Sequence, residues 1–181
     1  VLGLCVGSFL NVVIYRVPLG MSIAMPPSHC PKCGERIRWY DNIPVLSYII
    51  LGGKCRHCKE PISVRYTLVE LLNMLLWLLC ALRFNDNIFY LVVCCLLCST
   101  LVVVTFIDLE HMLIFDRFQW ILAVLGVLAI FADPSVVWWH RLVGGAAGGL
   151  LFFAFYGVAW LVYRKEGMGL GDVILAAVCG L

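Results

Sequence analysis

The stretch IFYLVVCCLLCSTLVVVTFI, residues 88–107, decides the class of this protein. Twenty consecutive residues without a charge match the roughly 17–25 that a membrane-spanning helix needs. Similar runs stand near 67–83, 118–132 and 142–163, and shorter apolar stretches close each end of the chain. None shows the strict alternation of a transmembrane barrel strand. Across 181 residues, 63% are hydrophobic and 13% charged, with a mean hydropathy of +0.99. An all-α, polytopic membrane helix bundle is the expected fold.

One segment breaks the pattern. Residues 19–66 hold Lys32, Arg36, Arg38, Lys54, Arg56, Lys59 and Arg65, so the positive-inside rule places this segment in the cytoplasm. Threading the spans outward from it puts 108–117 and 164–172 on the same side, with Arg117, Arg164 and Lys165, and leaves Arg83 and Arg141 outside. Trp120, Trp138, Trp139 and Tyr163 fall near proposed span ends, as interfacial aromatics do. The opening VLGLCVGSFLNVVIY carries no basic n-region or cleavage site, so the chain is expected to enter late in a first span and to stop early in a last one. The organisation read from this is 1–18 as the end of a first span, 19–66 as a cytoplasmic loop domain, and 67–181 as a transmembrane domain truncated at its C-terminus. No internal repeat is evident. The net charge of +2 gives no reason to expect a nucleic-acid partner.

Within the loop stand CPKC at 30–33 and CRHC at 55–58. Two CxxC pairs separated by twenty-one residues suit two knuckles that give four thiolates to one tetrahedral zinc. Cys30, Cys33, Cys55 and Cys58 are thus the expected ligands, and a loop too small for its own core would draw folding free energy from the metal. Disulfides and a redox-active CxxC are disfavoured, because a cytoplasmic loop is kept reducing and no βαβ pattern surrounds either motif. His57 is read as a solvated loop residue. Cys95 and Cys98 also make a CxxC, but an apolar helix lacks the cationic surroundings that activate a thiolate.

Two cytoplasmic turns carry acidic residues at span ends. FIDLEHMLIFD gives Asp108, Glu110, His111 and Asp116, and GMGLGD at 167–172 ends in Asp172. Asp108 and Asp172 can meet if their helices pack together. Two adjacent carboxylates share one proton, so the charged one activates water while the protonated one polarises a carbonyl. The competing explanations are that Asp172 is the N-cap of the apolar run that follows it, and that Asp108 is a solvated loop end or a metal partner of His111. Glu70, Ser8, Asn11 and Tyr15 lie in the spans, where polar groups usually serve helix packing.

GSFLNVVIYRVP at 7–18, the paired CxxC motifs, DNIPVLSYI at 41–49, RYTLVELL at 65–72, the FID…FD turn and GMGLGDV follow one another along the whole chain. In that order they resemble the type IV prepilin leader peptidases, bacterial inner-membrane enzymes of the GxGD aspartyl protease type. The resemblance implies that Asp108 and Asp172 are catalytic. It implies prepilins and type II secretion pseudopilins as substrates, cut after Gly at the cytoplasmic face of a lipid bilayer. It further implies S-adenosylmethionine-dependent N-methylation of the new terminus, with the cysteine-bearing loop tied to this second activity and Gly53 as a candidate for binding the donor. Phe115 stands where the family usually has Pro, and Ile174 where Lys commonly follows GDV. The alternatives are a non-enzymatic zinc-ribbon membrane adaptor and a presenilin-like GxGD protease, the latter leaving the CxxC pairs unexplained.

Overall fold

The computed structural model describes residues 1–132, 137–163 and 169–180. Among the described residues, seven α-helices account for the apolar runs: α1 Leu2–Arg16, α2 Leu46–Ile50, α3 Val64–Arg83, α4 Ile88–His111, α5 Asp116–Ala132, α6 Trp138–Tyr163 and α7 Leu170–Cys179. Among the described residues there is no strand, only two isolated bridges in the cysteine-bearing loop. Three helices are long and apolar enough to cross a membrane, at Val64–Arg83, Ile88–His111 and Trp139–Leu161. The chain is a multi-pass helical membrane protein, as its composition requires. Arg164 and Lys165, used to thread the topology, lie outside the described residues.

The chain divides into two compact units, Val1–Leu82 with Leu101–His111, and Arg83–Thr100 with Met112–Leu181. In the first, α1 and α3 pack antiparallel. Their contact begins in the sequence as Gly3-Leu-Cys-Val-Gly7, a small-xxx-small pattern that lets helix backbones approach. A Cβ at Gly3 would lie 2.9 Å from the Cα of Met74, and one at Gly7 only 2.8 Å from the Cα of Glu70. Polar side chains then fasten what the glycines admit. Asn73, fully buried, donates to the Gly3 carbonyl at 2.7 Å, and Asn11 donates to the Tyr66 carbonyl at 3.0 Å. Both satisfy polar groups inside an apolar layer, where no water would do so.

Arg16, at the end of α1, is only 5% exposed. Its guanidinium donates to the carbonyls of Ser22 at 2.9 Å and Pro26 at 2.7 Å, so a charged side chain folds the first stretch of the loop back against the helix that precedes it.

The second unit follows the same logic. Asn87 caps α4, its Oδ1 accepting the Tyr90 N–H at 3.1 Å, while its Nδ2 donates to the Ala132 carbonyl at the end of α5. Helix α6 carries GGAAGG at 144–149, and α7 packs on that face. A Cβ at Gly148 would lie 2.7 Å from the Ala176 carbonyl oxygen. Helix α5 also packs on α7.

Candidate functional site

The loop folds as a repeat that the sequence reading did not detect. In the first knuckle the Cys30 N–H donates to the Glu35 carbonyl at 2.9 Å and the Gly34 N–H to the Cys30 carbonyl at 2.8 Å. In the second, Cys55 donates to Glu60 at 2.8 Å and Lys59 to Cys55 at 3.1 Å. Bridges between His29 and Arg36 and between Lys54 and Pro61 close the two turns identically. Gly34 (φ 72°) and Lys59 (φ 59°) occupy the same left-handed position. The repeat is hidden because the two turns share backbone geometry while only their cysteines and the glutamates Glu35 and Glu60 match in sequence.

Together the knuckles bring the Sγ atoms of Cys30, Cys33, Cys55 and Cys58 within 4.8 Å of one another, and none of the four is disulfide-bonded. Cys30 and Cys58 sulfurs are 3.9 Å apart. Thiolates at about 2.3 Å from a tetrahedral zinc stand roughly 3.8 Å apart, so this set fits that ion. The backbone N–H groups of Cys58 and His57 bring the Cys55 thiol down to about 7. At Cys58 the N–H of Glu60 acts in the same sense, but partial desolvation and the three neighbouring sulfurs outweigh it and push the thiol up to about 11. His57 is exposed, as expected of a loop histidine. Among the described residues no other group of three or more potential metal ligands is found.

An ion pair braces the loop. Arg56, between the second pair of cysteines, grips Asp41 with two bonds, Nε to Oδ2 at 2.8 Å and Nη2 to Oδ1 at 2.5 Å, and lies over the Tyr40 ring. The guanidinium holds the Asp41 carboxyl below its usual value.

Between this loop and the α1–α3 pair lies a cavity of about 400 Å³. Ser8, Asn11, Tyr15, Tyr48, Tyr66 and Glu70 contribute to its wall. Glu70 accepts the Val45 N–H at 2.8 Å, which ties the DNIPVLSYI segment to α3. Gly53 adjoins the cavity wall through Tyr48: at φ 67°, a Cβ there would lie 2.9 Å from the Tyr48 hydroxyl. A side chain at 53 would therefore push Tyr48. The polar face of α1 and Glu70 were read as packing groups, and they line a cavity as well.

Asp108 is exposed in the last turn of α4, within the first unit. Its neighbour Glu110 pairs with Arg65. The α4 helix continues to His111, so the turn that follows is shorter than the 108–117 connection expected. Asp172 belongs to the second unit and sits in the first turn of α7. The N-cap expectation for Asp172 is corrected: the helix starts two residues earlier, at Leu170, and Gly169 holds the N-cap position with no side-chain cap bond. Gly171 stands at a close contact. The Gly171 carbonyl accepts from Gln119 Nε2 at 3.0 Å, and a Cβ on Gly171 would lie 3.1 Å from that nitrogen and 3.3 Å from Ile114 Cβ. Gly167 lies outside the described residues. Phe115 lies beneath the Arg117 guanidinium, and Ile174 is half exposed on α7.

Residues 1–84 match the family model of the bacterial peptidase A24 N-terminal domain, and residues 95–181 that of the type IV leader peptidase family. Over 99% of its length the chain is 46% identical to a prepilin leader peptidase/N-methyltransferase of Myxococcus xanthus, and it spans 53% of that protein. It is 40% identical to a type 4 prepilin-like proteins leader peptide-processing enzyme of Escherichia coli, spanning 73% of it. The chain belongs to the type IV leader peptidase family. A Klebsiella pneumoniae member, named as a prepilin leader peptidase/N-methyltransferase, is 37% identical and is 80% spanned. No solved structure matches the chain. Within this family the N-terminal model holds the four cysteines and the cavity, and the peptidase model holds Asp108 and Asp172.

Proposed function

We propose that the chain is the greater part of a membrane aspartyl endopeptidase that removes the leader of type IV prepilins and type II secretion pseudopilins and then N-methylates the exposed terminus. Relatives carrying both activities in their names, aligned over nearly all of this chain, are the observation that carries the reading. The site would face the cytoplasm at the inner membrane, where a basic leader emerges from a hydrophobic substrate helix still held in lipid. The division into a span end at 1–18, a zinc-bearing loop at 19–66 and a transmembrane peptidase region from 67 onward belongs to this proposal.

In the cleavage step, Asp108 and Asp172 are the catalytic pair. One carboxylate takes a proton from water, the water oxygen attacks the carbonyl after Gly, and the protonated partner supplies a proton to the departing nitrogen. A coupled pair titrates as a unit, so the two roles belong to the dyad. Placing the pair at helix ends near the membrane surface suits a scissile bond that lies between a leader in water and a helix in lipid.

Zinc at Cys30, Cys33, Cys55 and Cys58 has a structural role, closing the two knuckles on each other. S-adenosylmethionine supplies an activated methyl group when bound. The cavity fits such a molecule, since about 400 Å³ falls within the roughly 300–1,000 Å³ of small-molecule sites and its wall combines tyrosine rings with polar groups. Gly53 serves the donor site by leaving Tyr48 its place.

Mass spectrometry of a prepilin incubated with the enzyme and S-adenosylmethionine tests the reading. Wild type is expected to cut after Gly and to add one methyl mass, whereas Asp108→Asn and Asp172→Asn leave the substrate whole. Cleavage that persists in both variants would overturn the dyad. An intact substrate with wild type, under conditions where a relative cuts it, would favour a zinc-bearing adaptor.

A further inference from the structure

Neither the cleavage chemistry nor the metal accounts for the buried polar atoms that α1 and α3 present at the cavity wall. The Asn11 amide, 4% exposed, donates through Nδ2 to the carbonyls of Gly7 at 3.3 Å and Tyr66 at 3.0 Å. Two acceptor partners fix the nitrogen end, so the other end is the oxygen. That Oδ1 is buried and has no hydrogen-bond partner. Native structures seldom leave such an atom unsatisfied, and an orphan at a cavity wall marks where a donor belongs.

Glu70 stands near it, 7% exposed and lining the same cavity. Antiparallel packing sets Gly7 against Glu70, one turn along α1 from Asn11, which bonds Tyr66 one turn along α3 from Glu70. The carboxylate accepts the Val45 N–H. With about four lone-pair directions, it keeps capacity for another donor. Asn11 and Glu70, both residues of that wall, thus bring an amide oxygen and a carboxyl group, each able to accept. A group that is cationic and only donates is their complement.

We propose that Asn11 and Glu70 form a receptor for a primary α-ammonium group. The inference rests on the peptidase and methyltransferase reading above, which supplies two carriers of that chemistry: the freshly exposed N-terminus of the trimmed substrate and the amino-acid end of the methyl donor. The substrate terminus is the better match, because Glu70 lies six residues inside α3, roughly 9 Å along a spanning helix. Once the basic leader is removed from the surface, the trimmed chain begins with an apolar helix, and its terminus is free to enter the first turns of such a span.

Binding to full-length protein in lipid nanodiscs decides the matter, with three probes: a trimmed-prepilin peptide with a free α-amine, the same peptide N-acetylated, and S-adenosylhomocysteine. For wild type, the free peptide is expected to bind at least about tenfold tighter than the acetylated one. Glu70→Gln removes that preference and Glu70→Asp restores part of it. If Glu70→Gln instead weakens S-adenosylhomocysteine alone, the receptor holds the donor's ammonium. Equal binding of both peptides to wild type, with S-adenosylhomocysteine unaffected by Glu70→Gln, would overturn the receptor. Should Glu70→Gln fail to fold, as zinc content and melting would reveal, Asn11→Leu takes its place under the same criteria. Leader cleavage by the wild type in the same preparation tests the underlying reading separately.

Discussion

Gln119, 5% exposed on α5, donates to the carbonyl of Gly171 on α7 across 3.0 Å, tying the residue before Asp172 to a neighbouring helix. The bond sets the backbone from which the proposed catalytic carboxylate projects. Gln119→Leu keeps the volume but removes that bond, at a cost of about 0.5–1.5 kcal/mol, because the Gly171 carbonyl near the N-terminal end of α7 keeps its place in the helix's own ladder. Leader cleavage should fall in kcat about tenfold or more with KM little changed, and Gln119→Glu at low pH, where it can again donate, should recover part of it. A loss confined to KM would show that Gln119 serves substrate binding instead.

Gly171→Ala follows from the same corner. Its methyl would stand 3.1 Å from Gln119 Nε2 and 3.3 Å from Ile114 Cβ, so Gln119 and Ile114 must give by a few tenths of an ångström. Overpacking of this kind costs typically 1–3 kcal/mol. The double variant Gln119→Ala with Gly171→Ala should recover part of the melting temperature lost by the single one, and purely additive losses would contradict the contact.

The four sulfurs should hold one zinc per chain, measured by elemental analysis of protein purified without added metal. Changing any one of Cys30, Cys33, Cys55 or Cys58 to Ser should lower that content and expose the loop to protease, since metal binding and folding of so small a unit are coupled. Wild-type protein that folds with no bound metal would remove the zinc assignment.

Gly34 and Lys59 give a paired prediction. A non-glycine residue in the left-handed region costs roughly 1–2 kcal/mol, so Gly34→Lys should weaken the first knuckle by about that amount. Lys59→Gly should be neutral or slightly stabilising, because the strain it relieves offsets the added flexibility of the unfolded chain. Zinc retention against a chelator would rank the variants, and the opposite order would refute the equivalence of the two turns.

Arg56 keeps Asp41 below its ordinary pKa, so the pair's contribution is complete above the unfolded carboxylate value of about 3.9 and is lost only as acid titrates the folded carboxylate below it. Asp41→Asn should therefore speed zinc release by the same factor at pH 6 and pH 8, and by no more than about fivefold, since the pair is partly exposed. An effect that grows steeply between those pH values would point to a different group.

The helical class, the spans, the CxxC pairs and the two aspartates were legible because each is written in local composition or spacing: an uncharged run must leave water, and paired thiols three apart can share one ion. The left-handed residue at 59 was not, since lysine carries no turn signal and only its equivalence to Gly34 reveals the position. Residue 172 as part of a helix was equally hidden, because the two preceding glycines suggest a turn rather than a first helical turn.

What the sequence determined by itself was therefore the solvent of each segment and the inventory of reactive groups. Tertiary structure alone decided that Gly3 and Gly7 bring α1 onto α3, and that Asn11 and Glu70 end at one cavity while Gln119 reaches Gly171. The reason is physical: hydropathy is a property of each residue and its near neighbours, whereas an unsatisfied Asn11 oxygen exists only once a helix from elsewhere in the chain has excluded the water that would have paired it.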